Sequence, residues 1–98
     1  AKINFSELAF LPNVRQLAEA GIIPGGTVRN LDYVKDFVKF DSTLSEIDKL
    51  LAADAQTSGG LLVSLSENDA ENFIENFGST VKTIGQIIQK ESNFISIK

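Results

Sequence analysis

The residues best suited to chemistry in this chain are gathered in Asp54-Ala55-Gln56-Thr57-Ser58-Gly59-Gly60. Two adjacent glycines let successive amides point into one concavity and let a ligand approach the main chain closely, while Thr57 and Ser58 add hydroxyls. That is the chemistry of an anion or phosphate nest. The same residues would also suit a helix terminus entering a buried strand, and residue types alone leave both readings open. A Walker loop does not fit, because the Lys that reaches the phosphates is missing and no helix starts at once after the glycines. Asp54 is the only carboxylate in the run. It is the candidate for Mg²⁺ or for a general base, against the plainer role of a hydrogen bonder at a helix end. No second carboxylate lies close in sequence to form a two-metal clamp.

A second glycine-rich run, Pro24-Gly25-Gly26-Thr27, reads as a turn: proline fixes one φ angle and glycine supplies angles that other residues avoid. Arg29 and Asn30 follow it, placed to clamp a polar partner or the chain itself. Asp32, Asp36 and Asp41 read as a solvated acidic face. The chain has no Cys and no His, which excludes disulfides, thiol nucleophiles and imidazole-based metal sites or triads. Tyr33 and the seven phenylalanines are spread along the whole sequence, as core fillers are, rather than clustered as a stacking platform.

The elements that must hold these loops follow from periodicity. Ile3 and Phe5 alternate with Lys2 and Asn4, which predicts a short strand over 2–5. Leu11, Val14, Leu17 and Ala18 recur at helical spacing, with Pro12 in the first turn and Gly21 beyond the end, predicting a helix over 12–20. From Leu31 to Phe40 no period is clean; Val34 and Phe37 mark a short helix and 38–40 an extended piece. Thr43 and Glu46 have the spacing of a capping box before the stripe Leu44, Ile47, Leu50 and Leu51, and that helix ends near Ala53. Gly60 to Leu65 reads as a central strand, because Leu61-Leu62-Val63 is apolar on both faces. Ser66 caps a helix whose stripe is Ala70, Phe73, Ile74 and Phe77, with Gly78 as its C-cap. Residues 81–89 and 94–97 are two more strands, paired most simply as an antiparallel hairpin. The strands at Ile3 and Phe94 are short enough to be sheet edges. The expected class is α+β: a mixed four-stranded sheet with three or four helices packed mainly on one face.

At 98 residues, 43% hydrophobic and 22% charged, residues 1–98 form one domain at most. The formal net charge of -4 argues against a nucleic-acid surface. No apolar run approaches the roughly 20 residues of a membrane span and no signal-peptide pattern is present, so a cytoplasmic setting is expected.

Two segments together carry a resemblance. The stretch from Leu11-Pro12 through Ala20-Gly21 into Pro24-Gly25-Gly26-Thr27-Val28-Arg29-Asn30 is similar to part of the selenophosphate synthetase family. Asp54 through Leu62 resembles the signature of that family's C-terminal domain, with Ala55 where Pro is usual, which leaves the turn less rigid. Thr83-Ile84-Gly85 looks like a late Ile-Gly pair of the same family. The resemblance implies a fragment: the later part of a C-terminal domain like that of aminoimidazole ribonucleotide synthetase. It also implies a parent enzyme that turns ATP, selenide and water into selenophosphate, AMP and phosphate. Mg²⁺ and ATP are held largely by an N-terminal ATP-binding domain of the same chain, and the whole enzyme is a homodimer. Within this chain the resemblance points to no catalytic residue and no metal ligand. It makes Thr57, Ser58, Gly59 and Gly60 candidates to face phosphate or substrate, with Asp54, Gln56, Arg29 and Asn30 in support. Alone, the chain is expected to be inactive, to bind no cofactor and to self-associate through an uncovered apolar patch. The competing expectation is a non-enzymatic ligand-binding or protein-interaction module.

Overall fold

A computed structural model describes residues 1–98, the side chain of Ser79 apart. In chain order the elements are β1 (Lys2–Ile3), a 3-10 turn (Phe5–Glu7), α1 (Val14–Glu19), α2 (Gly25–Val34), β2 (Val38–Phe40), α3 (Glu46–Ala52), α4 (Glu67–Phe77), a second 3-10 turn (Gly78–Thr80), β3 (Gly85–Gln86) and β4 (Ile95–Ile97). The architecture is α+β, with a mixed four-stranded sheet in the order β2-β4-β1-β3. β4 runs parallel to both β1 and β2, and β3 pairs antiparallel with β1.

This order corrects two expectations. The hairpin between 81–89 and 94–97 does not form, because β1 lies between β3 and β4. For the same reason the strands at Ile3 and Phe94 are not edges: β1 and β4 are interior, and β2 and β3 flank them. The β1–β3 approach depends on Gly85, where a Cβ would stand 2.1 Å from the Lys2 carbonyl oxygen. No other residue type lets the two backbones come so close.

Two further expectations fail. The box expected at Thr43 and Glu46 forms two residues later, at Ser45 and Asp48. Thr43 is already engaged, donating both its N–H (3.0 Å) and its hydroxyl (2.7 Å) to the Asp41 carboxylate. The Asp48 carboxylate accepts the Ser45 N–H at 2.8 Å, and Ser45 Oγ accepts the Asp48 N–H at 3.2 Å. Residues 60–65, expected as the central strand, pair with nothing described; Leu61 is 96% exposed and Leu62 77% exposed. Ser66 caps α4 as its sequence suggests, and Gly78 ends that helix at a φ of +70°.

The core is small: Ala18 and Leu51 are buried where α1 and α2 meet α3, Ile97 is buried in β4, and Thr27 is the most buried polar residue among those described. Arg15 of α1 pairs with Asp48 of α3, tying these two helices at the capping box. Elsewhere much apolar surface is open. The chain exposes 7521 Å², against about 5,500 Å² for a folded monomer of this mass. Its radius of gyration is 14.5 Å, where about 13 Å is usual for this length.

Candidate functional site

The first surprise at the site is that Pro24-Gly25-Gly26 is not a loop. Pro24 is the N-cap, and both glycines lie in the first turn of α2. Proline suits this boundary because its fixed φ and missing N–H cost nothing at a helix start. Gly26 serves a second purpose: a Cβ there would stand 3.0 Å from the Ala55 Cβ, so its small size lets the end of α3 close onto α2.

That closure is held by hydrogen bonds. The Thr27 hydroxyl donates to Asp54 Oδ1 at 2.8 Å, and Thr27 Oγ1 accepts the Ala55 N–H at 3.4 Å. Asn30 Nδ2, one turn further along α2, donates to the Ala53 carbonyl at 3.1 Å. Gln56 Nε2 approaches Asp54 Oδ2 at 3.5 Å. Thr27 is only 2% exposed. A buried hydroxyl without partners would be costly, and here it is satisfied as donor and acceptor at once. From sequence, Thr27 belongs to the Pro24-Gly25-Gly26-Thr27 turn and carries no mark of a site residue. Its only sequence signal was its place directly after Pro-Gly-Gly, on a helix that the glycines disguised.

Of the residues expected at the site, Asp54, Gln56 and Asn30 are brought together with Thr57 along one cleft of about 690 Å³, also lined by Phe10 and Leu51. Arg29 is not drawn in. Its guanidinium folds back over the first turn of α2, with Nη1 3.4 Å from where a Gly25 Cβ would be, and it is exposed. Thr57, Ser58, Gly59 and Gly60 are all exposed, and the hydrogen bonds that anchor the loop end at Gln56. The loop therefore has a fixed half, Ala53 to Gln56, and an open half, Thr57 to Gly60.

Electrostatics at the far end of α3 reinforce the fixed half. The Asp48 carboxyl is held below the usual carboxylate range, first by the Ser45 hydroxyl and then by the Arg15 guanidinium; the Arg15 pKa is raised in turn by Asp48. Both effects keep α3 seated on α1, and so keep Asp54 in reach of Thr27.

A divalent cation does not fit these donors on their own. Asp54 Oδ1 is already taken by the Thr27 hydroxyl, and among the described residues no group of three or more acidic side chains converges. What the loop offers instead is a rim of hydroxyls and glycine amides, suited to hydrogen-bonding an anion.

Selenide, water dikinase of Aliarcobacter butzleri is 38% identical over 100 residues, covering 97% of this chain and 29% of that protein. The enzyme of the same name from Clostridium botulinum strain Eklund 17B is 41% identical over 98 residues, or 96% of this chain and 28% of that protein. In sequence, this chain is a segment of the selenide, water dikinase family. It spans under a third of the length of the curated relatives it matches. The dikinase of Pseudomonas putida, 33% identical, matches 99% of the chain, so both glycine-rich runs lie inside the shared segment. No family model and no solved structure matches the chain.

Proposed function

We propose that this chain is the later part of the C-terminal domain of a selenide, water dikinase, the domain resembling that of aminoimidazole ribonucleotide synthetase. The whole protein would make selenophosphate, AMP and phosphate from ATP, selenide and water. On this reading Thr57 to Gly60 face the phosphate or substrate across a cleft completed by the N-terminal ATP-binding domain. Asp54, Gln56 and Asn30 set the position of the loop, and Arg29 stands at its margin. ATP, Mg²⁺ and a homodimeric partner belong to the whole protein. The observation that carries the reading is the match to dikinases across nearly the full chain, with the signature loop tethered at one end and open at the other.

Phosphoryl transfer needs metal ions and dense positive charge around the group transferred. The donors here supply neither, so polypeptide outside this chain must provide them. This chain's residues would position rather than react: Thr27 and Asn30 hold the α3 end against α2, and the open half presents amides and hydroxyls to an anion. The test is selenide-dependent AMP release from ATP. The 98-residue chain is expected to give none, and the complete protein to turn over. Thr27→Val in the complete protein should lower turnover about tenfold, as loss of a supporting hydrogen bond does. EDTA-sensitive turnover by the chain alone would overturn the reading.

A further inference from the structure

We propose that the outer face of the sheet is a platform for single-stranded nucleic acid, with bases lying on Tyr33, Phe37 and Phe94 and phosphates taken by Lys39 and Lys98. The two faces follow from the strand register. Val38 pairs with Ile95, Lys39 with Ser96 and Phe40 with Ile97, and Ser96 also lies opposite Lys2. Successive side chains on a strand point to opposite faces. Ile3, Val38, Phe40 and Ile95 therefore share the inner face, half-buried, with Ile97 buried among them. Lys2, Lys39 and Ser96 share the outer face, continued by Phe37 and Phe94 at one end and by Lys98 at the other. Phe37, Lys39, Phe94 and Lys98 are all exposed.

The rings form a row. Ring centroids are 6.1 Å apart from Tyr33 to Phe37, and again 6.1 Å from Phe37 to Phe94. These three are exposed at 75%, 44% and 57%, so they are not the core fillers that their scatter along the sequence suggests. Their planes are tilted by 45° and 58°, which leaves ring faces unspent. Phe73 and Phe77 of α4 show the contrast: at 24° and 4.4 Å they stack on each other. Lys90 Nζ sits 4.2 Å from the Phe94 centroid, so that face already receives a cation. A base arriving there displaces a flexible lysine, which is then free to meet a phosphate. Exposed rings on an open sheet, with cations beside them, hold single strands by stacking that tolerates any base. Charge on this face departs from the net -4 of the whole chain. Among the described residues Lys39, Lys90 and Lys98 make no ion pair. Of the nearby acids, Glu91 is held by Lys2 at 3.2 Å and Asp41 by two hydrogen bonds from Thr43. Asp36, exposed beside Phe37, opposes a phosphate, so the backbone of the strand runs on the Lys39 side. A basic peptide would suit the rings but would meet three unpaired lysines. The inference is independent of whether Thr57 to Gly60 face a phosphate.

The test titrates the complete protein with a fluorescent single strand of about ten nucleotides, as RNA and as DNA, and with the matching duplex. Binding of either single strand in preference to the duplex is expected. Tyr33→Ala and Phe94→Leu should each weaken it about tenfold; leucine keeps the apolar bulk, so that loss reports the ring. Lys39→Gln should lower the slope of log affinity against log salt by about 0.7, and Asp36→Asn should tighten binding. Selenide-dependent AMP release should be the same in all four variants, which separates this face from the phosphate-facing loop. No binding, equal binding of the duplex, parental affinity in both ring variants, displacement of the strand by excess ATP, or a preference for an oligolysine probe would overturn the proposal.

Discussion

The two glycine-rich runs have similar composition and opposite fates. Gly25 and Gly26 are absorbed into a helix whose third residue, Thr27, is the most buried polar side chain among the described residues. Gly59 and Gly60 remain in the open, with exposed leucines behind them. The difference is not in the glycines but in what lies opposite. Thr27 meets a carboxylate and an amide from the end of α3, whereas Thr57 and Ser58 face solvent. Polar residues next to glycine become structure when a complementary group is already in place, and stay available when none is.

The largest effect should come from outside both runs. Gly85→Ala forces a Cβ to within 2.1 Å of the Lys2 carbonyl, so β1 and β3 must part. A loss of about 3 kcal/mol in urea unfolding is expected, and an unchanged midpoint would mean that the sheet has another way to close. Next comes Thr27→Val, which keeps the shape but strands Asp54 and the Ala55 amide. About 2 kcal/mol should be lost, and Thr27→Ser should recover most of it. Equal loss in both variants would attribute the closure to packing instead of hydrogen bonds.

Ser45→Ala removes the cap of α3 and should cost about 1 kcal/mol. The same helix makes stability pH-dependent. The folded Asp48 pKa lies below its unfolded value. Its contribution is therefore complete above the unfolded value of about 4 and is lost as pH falls through the folded one. An acid titration of the unfolding midpoint should show this loss, and Asp48→Asn should flatten it. The smallest effect is expected at Leu61→Ser, where exchange at the α3 amides should change by less than the equivalent of about 0.5 kcal/mol. A larger change would show that the open run supports the closed one.

Helices with clear stripes and caps were legible in the sequence. Ser66 and Gly78 bound α4 as expected, and α1 occupies the middle of the stretch predicted for it. The α3 box moved because Asp at the third position serves as well as Glu, and because Asp41 had claimed Thr43. α2 was hidden: two glycines after a proline carry every mark of a turn, and only the buried partners of Thr27 make a helix there worthwhile. The sheet order was not legible, because β1 separates β3 from β4 through pairings distant in sequence, which local pattern does not encode. Residue type singled out Asp54, Gln56 and Asn30, which the structure places along one cleft, but it gave no sign that Arg29 turns back on its own helix.

β4 lies between β1 and β2, and neither of those strands touches the other without it. On the ribosome, β1 can pair with β3 as soon as Gly85 emerges, but β2 waits as an unmatched ribbon until β4, made more than fifty residues after it, appears. Closing the sheet is thus of the slow, long-range kind. A polypeptide stalled before Ile95 would hold its helices and the β1–β3 pair but no seam to join them to β2.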